Sequence, residues 1–346
     1  MTSVGIIGAS GYTGAELLRL CAGHPGLDVR VATGDTQAGA PVAELYPSLA
    51  AAYGDLRFDK ISPEACDGLD LVFLALPHGA SQDVVPEIAG RVGGLVDLAA
   101  DFRLQDPALY PRWYGEDHTH PELLADFAYG LPELFRADIA GATRVAAPGC
   151  YVTTAVLALA PLVRAGLAAP TGMVVDAASG VSGSGRGLKA TTHFGAVDEN
   201  FTAYGLLDHR HTPEIEQALS RVSAAGPVEV LFTPHLAPMN RGILATCYAR
   251  PTAPGLTTED LLAALRSAWA GEPFVVVTDG SPQTKATLGS NAVHVTARAD
   301  ARTGWLVAIA ALDNLVKGAS GQAVQCANIV LGLPEGTGLA SAGVYP

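Results

Sequence analysis

Apolar residues fall first into short runs and then into helical spacing. Ser3–Ile7 is an apolar, β-branched run that predicts a strand. Gly8, Gly11 and Gly14 follow it, and Leu17, Leu18 and Cys21 then recur at the spacing of a helix over Ala15–Ala22. The alternation continues with a strand at Asp28–Thr33, a strongly apolar strand at Asp70–Leu76 that stops at Pro77-His78-Gly79, a helix at Ser81–Ala89, and a strand at Gly94–Leu98 that ends near Asp101. Strands alternating with helices imply a mostly parallel sheet with ligands at the carboxyl ends of the strands. The first part of the chain therefore reads as a Rossmann-like α/β domain.

From about Pro148 the pattern changes. Thr153–Ala165 predicts a helix directly after a Pro-Gly-Cys turn, and Val174–Ser179 predicts a strand that runs into the Gly/Ser-rich segment Gly180–Lys189. A helix is expected at Pro213–Ala224, and strands at Val228–Thr233, Gly242–Ala249, Phe274–Thr278, Val293–Arg298 and 304–309, before a last helix near Gln322–Leu331. Longer strands grouped late point to an α+β domain after the Rossmann-like one. No repeat and no low-complexity linker interrupts the chain.

Composition narrows the class. With 346 residues, 49% hydrophobic and 16% charged, the chain is long enough for two domains with proper cores. Its apolar runs are strand-sized, so a membrane span is not expected. A formal net charge of -13 argues against a nucleic-acid partner. It leaves room for a phosphorylated small substrate, which a few local cations or backbone N–H groups can hold. Cys21, Cys66, Cys150, Cys247 and Cys326 are odd in number and scattered, without metal spacing. Together with an N-terminus that lacks a signal-peptide pattern, they favour a reducing cytosol and no metal.

The segment Gly8-Ala9-Ser10-Gly11-Tyr12-Thr13-Gly14 has the form GxxGxxG between a strand and a helix. In that setting glycines admit a pyrophosphate to the backbone, and the helix start offers N–H donors, with the hydroxyls of Ser10 and Thr13 beside them. An ordinary tight turn is the plain alternative. Asp35, just beyond the second strand, leans locally towards NAD, since an acidic residue there takes ribose hydroxyls. Gly180–Lys189, with Ser182, Gly183 and Arg186, suits either a phosphate leaving group or the nicotinamide end of a cofactor, or is simply a flexible linker. Asp313–Gln322, which includes Asn314, either completes a cofactor pocket or merely connects a strand to a helix.

Ala147-Pro148-Gly149-Cys150 sets a cysteine on a sharp turn at a helix start, where the helix dipole stabilises a thiolate and backbone N–H groups can hold an oxyanion. The competing reading is a small buried hydrophobe, which fits the other four cysteines. Asp208-His209-Arg210-His211-Thr212-Pro213-Glu214 is the densest titratable cluster. It offers His211 or His209 as a proton partner, with Glu214 to orient the ring; surface histidines and capping are the alternative.

These segments occur in one order: GASGYTGAELLRL at the start, LALPHG at 74–79, DFRL at 101–104, APGCYVT at 147–153, SGVSGSGR at 179–186, HRHTPEI at 209–215, PHLAPMNRG at 234–242 and NLVKGASGQAVQ near the end. Together they resemble the arginine-pathway branch of the semialdehyde dehydrogenase family over nearly the whole chain. The PGCY and HRHTPEI segments are the specific part of that match. The resemblance implies an α/β Rossmann-like dinucleotide-binding domain over 1–148, completed by 314–346, plus an α+β catalytic and dimerisation domain over 149–313. It implies a homo-oligomer, dimer or tetramer, and NADP rather than the NAD hinted at by Asp35. Gly8, Ser10, Gly11, Tyr12, Thr13, Gly14, Ser182, Gly183 and Asn314 are then the expected cofactor contacts. Cys150 is the expected nucleophile, and a histidine of HRHTPEI the acid/base, with His211 slightly preferred over His209. The implied activity is NADPH-dependent reduction of N-acetyl-γ-glutamyl phosphate to the γ-semialdehyde through a Cys150 thioester. Arg103, Arg186, His209 and Arg210 are unranked candidates for the substrate's carboxylate or phosphate. A sister enzyme for an aspartyl or aminoadipyl phosphate, and a nucleotide sensor without turnover, are the alternatives.

Overall fold

Six parallel strands organise the first half of the chain: β1 (Thr2–Ile7), β2 (Leu27–Ala32), β3 (Leu71–Leu74), β4 (Leu95–Asp97), β5 (Ala128–Tyr129) and β6 (Arg144–Ala146). They pair in the order β2-β1-β3-β4-β6-β5. The helices between them are α1 (Tyr12–Ala22), α2 (Val42–Leu45), α3 (Ala50–Tyr53), α4 (Ala80–Ile88), α5 (Tyr110–Tyr114) and α6 (Pro132–Ala140). All four residues of β3 are buried, as expected of a parallel strand covered on both faces. The chain runs from β1 outward to β2 and then crosses back to β3 on the other side of β1. The topological switch therefore lies between the carboxyl ends of β1 and β3, the position where open α/β sheets bind ligands. The computed structural model describes all 346 residues.

In the second half α7 (Cys150–Arg164) comes first, then β7 (Met173–Gly180), α8 (Phe194–Val197), β8 (Thr202–Ala203) and α9 (His211–Ser220). They are followed by β9 (Val230–Ala237), β10 (Ile243–Ala249), α10 (Thr258–Ala268), β11 (Val275–Val277), β12 (Val293–Asp300) and β13 (Trp305–Leu312). The seven strands form a mixed sheet in the order β11-β12-β13-β10-β7-β9-β8. α7 lies on one face of it and is buried from Tyr151 to Val163, as an all-apolar helix must be. On the opposite face Val174, Leu244, Tyr248, Val307 and Ile309 alternate with buried neighbours and are half-exposed. A wide turn of i→i+5 bonds, Val316–Ser320, leads from β13 towards α11 (Gly321–Val330).

Two compact units result. The first comprises Met1–Pro111, Glu116–Pro148 and Ala319–Leu339, and the second Arg112–Gly115, Gly149–Gly318 and Ala340–Pro346. α11 packs within the first unit on α1, α6 and β4. The whole of 314–346 does not travel together. Asn314 stays with the second unit because its side chain bonds the Gly242 N–H and Ser182 Oγ. The chain end stays there because Val344 N–H donates to the Leu288 carbonyl and Asn291 N–H to the Ala340 carbonyl.

Several expected elements shift. The helix expected at Thr153 starts at Cys150 itself, and the one expected at Pro213–Ala224 runs from His211 to Ser220. α10 escaped the apolar pattern, although Thr257 and Asp260 form a reciprocal capping box at its start. The Gly180–Lys189 segment is not simply a flexible linker. It contains a 3₁₀ turn, Val181–Ser184, tied down by Val181 N–H to the Met239 carbonyl and Ser182 N–H to the Asn240 carbonyl.

Candidate active site

In the first unit the glycine loop joins β1 to α1. Gly8 has φ +87°, and a Cβ there would strike the carbonyl oxygen of Ala75 after β3. Only glycine meets both demands. Gly11 caps α1 without any side-chain hydrogen bond, and the first turn carries no acidic residue. The N–H groups of Tyr12, Thr13 and Gly14 therefore stand at a helix start that no N-cap side chain closes. Such a cradle fits a dinucleotide pyrophosphate. Thr33 fixes its other side, accepting from Gly8 N–H through Oγ1 and from Ala9 N–H through its carbonyl. Asp35 is exposed on a short 3₁₀ turn just past β2. Arg103 also belongs to this unit; it is 8% exposed and donates to the Leu98 carbonyl at 2.7 Å.

In the second unit Cys150 is the first residue of α7, half-buried, at the positive end of the helix dipole. A Cβ on Gly149 would collide with the imidazole of His211, whose Nε2 is the nearest atom. The ring thus lies directly on the residue before the cysteine. From the other side Gly318, in the wide turn after β13, sits so close that a Cβ on it would be 2.8 Å from Cys150 Cβ. Glu214, completely buried in the first turn of α9, accepts from Gly149 N–H at 3.0 Å. The expectation was that Glu214 orients a ring; this bond has it clamp the cysteine's turn onto α9.

His209 packs edge-on against the His211 ring, with centroids 4.8 Å apart. Its Nδ1 accepts the backbone N–H of His211 at 3.2 Å, so in the neutral ring the proton is on Nε2. The ring is edged by Tyr151, Tyr204, His211 and Phe232, with centroids 4.8–5.9 Å away. Burial in this aromatic box, with Arg210 nearby, pushes its pKa down to about 4. A ring kept neutral, with one nitrogen committed, suits the support of His211 better than proton transfer. Tyr151 donates to the His235 carbonyl at 3.0 Å and receives a bond from Tyr204 at 3.1 Å, and burial drives its phenol well above the usual range. Neither tyrosine was singled out in the sequence; a Tyr directly after the cysteine is the one signal that pointed there.

Ser182, Gly183 and Asn314 come together as expected. Asn314 Nδ2 donates to Ser182 Oγ at 3.0 Å, and a Cβ on Gly183 would lie 3.7 Å from that same Nδ2. Arg186 is half-exposed beyond this turn, and Arg210 is exposed just before α9. The other cysteines are buried and outside the site; burial raises Cys21 to about 12 and lifts Cys66 and Cys247 as well. No helix is long and apolar enough to cross a membrane.

Residues 3–142 match the family model of the semialdehyde dehydrogenase NAD binding domain, and residues 150–314 that of the semialdehyde dehydrogenase dimerisation domain. Among curated relatives, N-acetyl-gamma-glutamyl-phosphate reductase of Symbiobacterium thermophilum is 50% identical over 99% of both chains. The enzyme of the same name from Pelotomaculum thermopropionicum is 49% identical, again over 99% of both. Among solved structures, aspartate semialdehyde dehydrogenase II from Vibrio cholerae superposes with a TM-score of 0.71, at 17% identity, over 96% of this chain and 98% of that one. At that identity it speaks for the fold alone. On sequence over its full length the chain belongs to the semialdehyde dehydrogenase family, in its N-acetyl-gamma-glutamyl-phosphate reductase branch.

Proposed function

We propose that this chain reduces N-acetyl-γ-glutamyl phosphate to N-acetyl-glutamate γ-semialdehyde and phosphate, with Cys150 as nucleophile and His211 as acid/base. The observation that carries the assignment of roles is the packing of the His211 Nε2 edge on Gly149, the residue that caps Cys150's helix. The full-length relatives at about half identity supply the substrate class.

His211 takes the thiol proton, and the start of α7 favours the resulting sulfur anion. The thiolate attacks the acyl carbon, the backbone N–H groups following Cys150 receive the oxyanion, and phosphate departs to leave a thioester. NADPH, when bound, supplies the hydride. Its pyrophosphate fits the uncapped N–H groups of Tyr12, Thr13 and Gly14, with Gly8, Ser10 and Gly11 shaping the loop, and Ser182, Gly183 and Asn314 offer polar contacts to the nicotinamide end. His211 then protonates the alkoxide of the thiohemiacetal and takes that proton back as the C–S bond breaks, which releases the aldehyde and restores the thiolate. His209 holds the His211 backbone, and Glu214 holds Gly149. Arg186 and Arg210 in the second unit, and Arg103 in the first, are the cations proposed for the substrate's carboxylate and phosphate.

The half-exposed face of the seven-stranded sheet, where Asp176 and Thr246 lie among Val174, Leu244, Tyr248, Val307 and Ile309, is the surface proposed for pairing with a second copy, in a domain whose family model is described as a dimerisation domain. Five cysteines without a disulfide support a cytosolic setting. The test is direct. Purified protein given N-acetyl-glutamate semialdehyde, phosphate and NADP is expected to form reduced cofactor, and NAD to serve poorly. Turnover with aspartate semialdehyde alone would move the chain to the sister activity, and cofactor binding without any turnover would make it a sensor.

A further inference from the structure

In the second unit, the stretch between the Ser182 turn and the histidines of α9 is hardly covered by its own fold. From residue 188 to residue 208 only Val197 is buried. Leu188, Phe194, Phe201, Leu206 and Leu207 are 58–100% exposed, and Tyr204 is 38% exposed. Single chains rarely leave more than a few hundred Å² of contiguous apolar surface in water. At about 200 Å² per ring, the three aromatic side chains alone expose roughly 350 Å², and a stable interface takes about 800 Å² from each partner. The three leucines bring the patch towards that size.

The stretch is shaped rather than loose. Asn200 Nδ2 closes α8 by donating to the Ala196 carbonyl at 2.9 Å. β8 pairs antiparallel with β9, Thr202 beside Leu236 and Ala203 beside His235, and the Phe201 ring stacks on the His235 imidazole with centroids 5.2 Å apart. His235 shares a face of β9 with Leu231, and Leu231 lies beside Val174. The stretch therefore continues the sheet face proposed above for pairing, inside the domain whose family model is described as a dimerisation domain. Its charges are complementary to themselves. Lys189, near the start, bonds the Ser184 carbonyl, while Asp198 and Glu199, near the middle, are exposed without a cation of their own chain. A twofold axis sets residue i against j and j against i, which brings the lysine of one stretch to the acidic middle of the other.

The far end of the stretch reaches the site. Tyr204 Oη donates at 3.1 Å to Tyr151 Oη, in the residue after Cys150, and its ring edges His209 at 5.6 Å. Gly205 has φ +56°, and a Cβ there would stand 3.1 Å from the His209 ring. Leu207 is left-handed too, at φ 65°, a costly conformation for a leucine. The turn over residues 204–207 thus wraps His209 while it holds Leu206 and Leu207 out in water.

We propose that residues 188–207 form an arm that docks on a second copy of this chain, and that the site is complete only in that pair, because docking holds the 204–207 turn on His209. The second half rests on the roles given above to Cys150, His209 and His211; the docking itself stands apart from them.

The experiment compares wild type with Phe194→Asp/Leu206→Asp, with the conservative Phe194→Leu/Leu206→Met, and with Ile61→Asp, a control at an exposed apolar residue of the first unit. Light scattering on a sizing column reads the mass, NADPH fluorescence the cofactor affinity, and NADP reduction with N-acetyl-glutamate semialdehyde and phosphate the kcat. Wild type is expected as two or more chains per particle, and the aspartate pair at half that mass or less. Its NADPH affinity stays within about twofold, and kcat falls about tenfold or more, since a misplaced catalytic group costs up to about 100-fold. The conservative pair and Ile61→Asp keep the wild-type mass and kcat. Dilution of the wild type, which needs no variant to fold, lowers kcat in step with the mass. A single-chain wild type, an aspartate pair that keeps its mass and kcat, or a dissociated pair with full kcat each overturns the proposal. So does a kcat lost at unchanged mass, which would make the stretch a cover for its own subunit's site. If wild type turns over none of these substrates, the functional reading falls, while the masses still decide the docking.

Discussion

Gly149 has φ -65° and ψ 149°, a conformation open to any residue, so Gly149→Ala asks only what one methyl group does to His211. The new carbon would stand 2.7 Å from Cε1 and 2.8 Å from Cδ2 of the ring, with Nε2 nearer still. Non-bonded carbons settle about 3.5–4.0 Å apart, so the imidazole must withdraw by roughly 1 Å. Overpacking of this size costs about 1–3 kcal/mol of stability, and alanine returns part of that, about 0.4–1 kcal/mol, by restricting the unfolded chain. The net loss is therefore small, and the protein should fold. Catalysis is far less tolerant, because a misplacement of about 1 Å costs on the order of 100-fold in rate. Steady-state kcat for semialdehyde oxidation, measured beside a thermal melt of the same preparation, separates the two effects. The expectation is a melt shifted by a few degrees and a kcat lowered about 100-fold, with NADP affinity unchanged. A kcat within threefold of wild type would show that the ring on Gly149 is not the group that moves the proton.

Two further outcomes are expected. Iodoacetamide at pH 8 should label Cys150 and spare Cys21, Cys66, Cys247 and Cys326, which are buried; peptide mapping that finds a second fast site, or Cys150→Ser protein that still transfers hydride, would contradict a single nucleophilic sulfur. Asp97, completely buried beside Asp101, has its carboxyl pushed up to about 7 by burial first and by the Asp101 charge second, while its Oδ2 has no hydrogen-bond partner. A folded-state pKa above the unfolded value means that the stability Asp97 contributes is full below about pH 4 and is lost as the pH rises through about 7. Asp97→Asn should accordingly gain stability over wild type between pH 4 and 7 and hold a constant advantage above that, read from denaturant midpoints; a difference that does not vary with pH would refute the buried proton.

The parts of this structure that local pattern controls were legible beforehand. Leu17, Leu18 and Cys21 mark α1, glycines mark the turn that leads into it, and the Pro148-Gly149-Cys150 turn marks a helix start with a thiol on it. The start of α7 was placed three residues late because Gly149, the residue at its cap, has no side chain to announce it. What stayed hidden depends on partners distant in sequence. The box around His209 is built by Tyr151, Tyr204 and Phe232, and no spacing near residue 209 foretells that one histidine is wedged neutral while its neighbour two residues on faces the nucleophile's turn. Asp101 capping α4 from twenty residues downstream is the same kind of event: the acceptor is visible in the sequence, its donor is not. Asp35 left the choice between NAD and NADP open because a single exposed carboxylate says little about a cofactor held by a whole loop.

α7 links the Cys150 sulfur, the proposed nucleophile, to the bulk of the second unit in a way that shapes how the enzyme fails. Helix ends usually fray at little cost, ahead of global unfolding. Here thirteen of the fifteen residues are buried, and the helix could not loosen without dragging Leu157, Leu159 and Leu162 out of the interior, where each is 0% exposed. Heat or denaturant should therefore leave each molecule either fully competent or wholly unfolded. Residual activity during a slow melt then counts surviving molecules, with no population of intact but sluggish enzyme between the two.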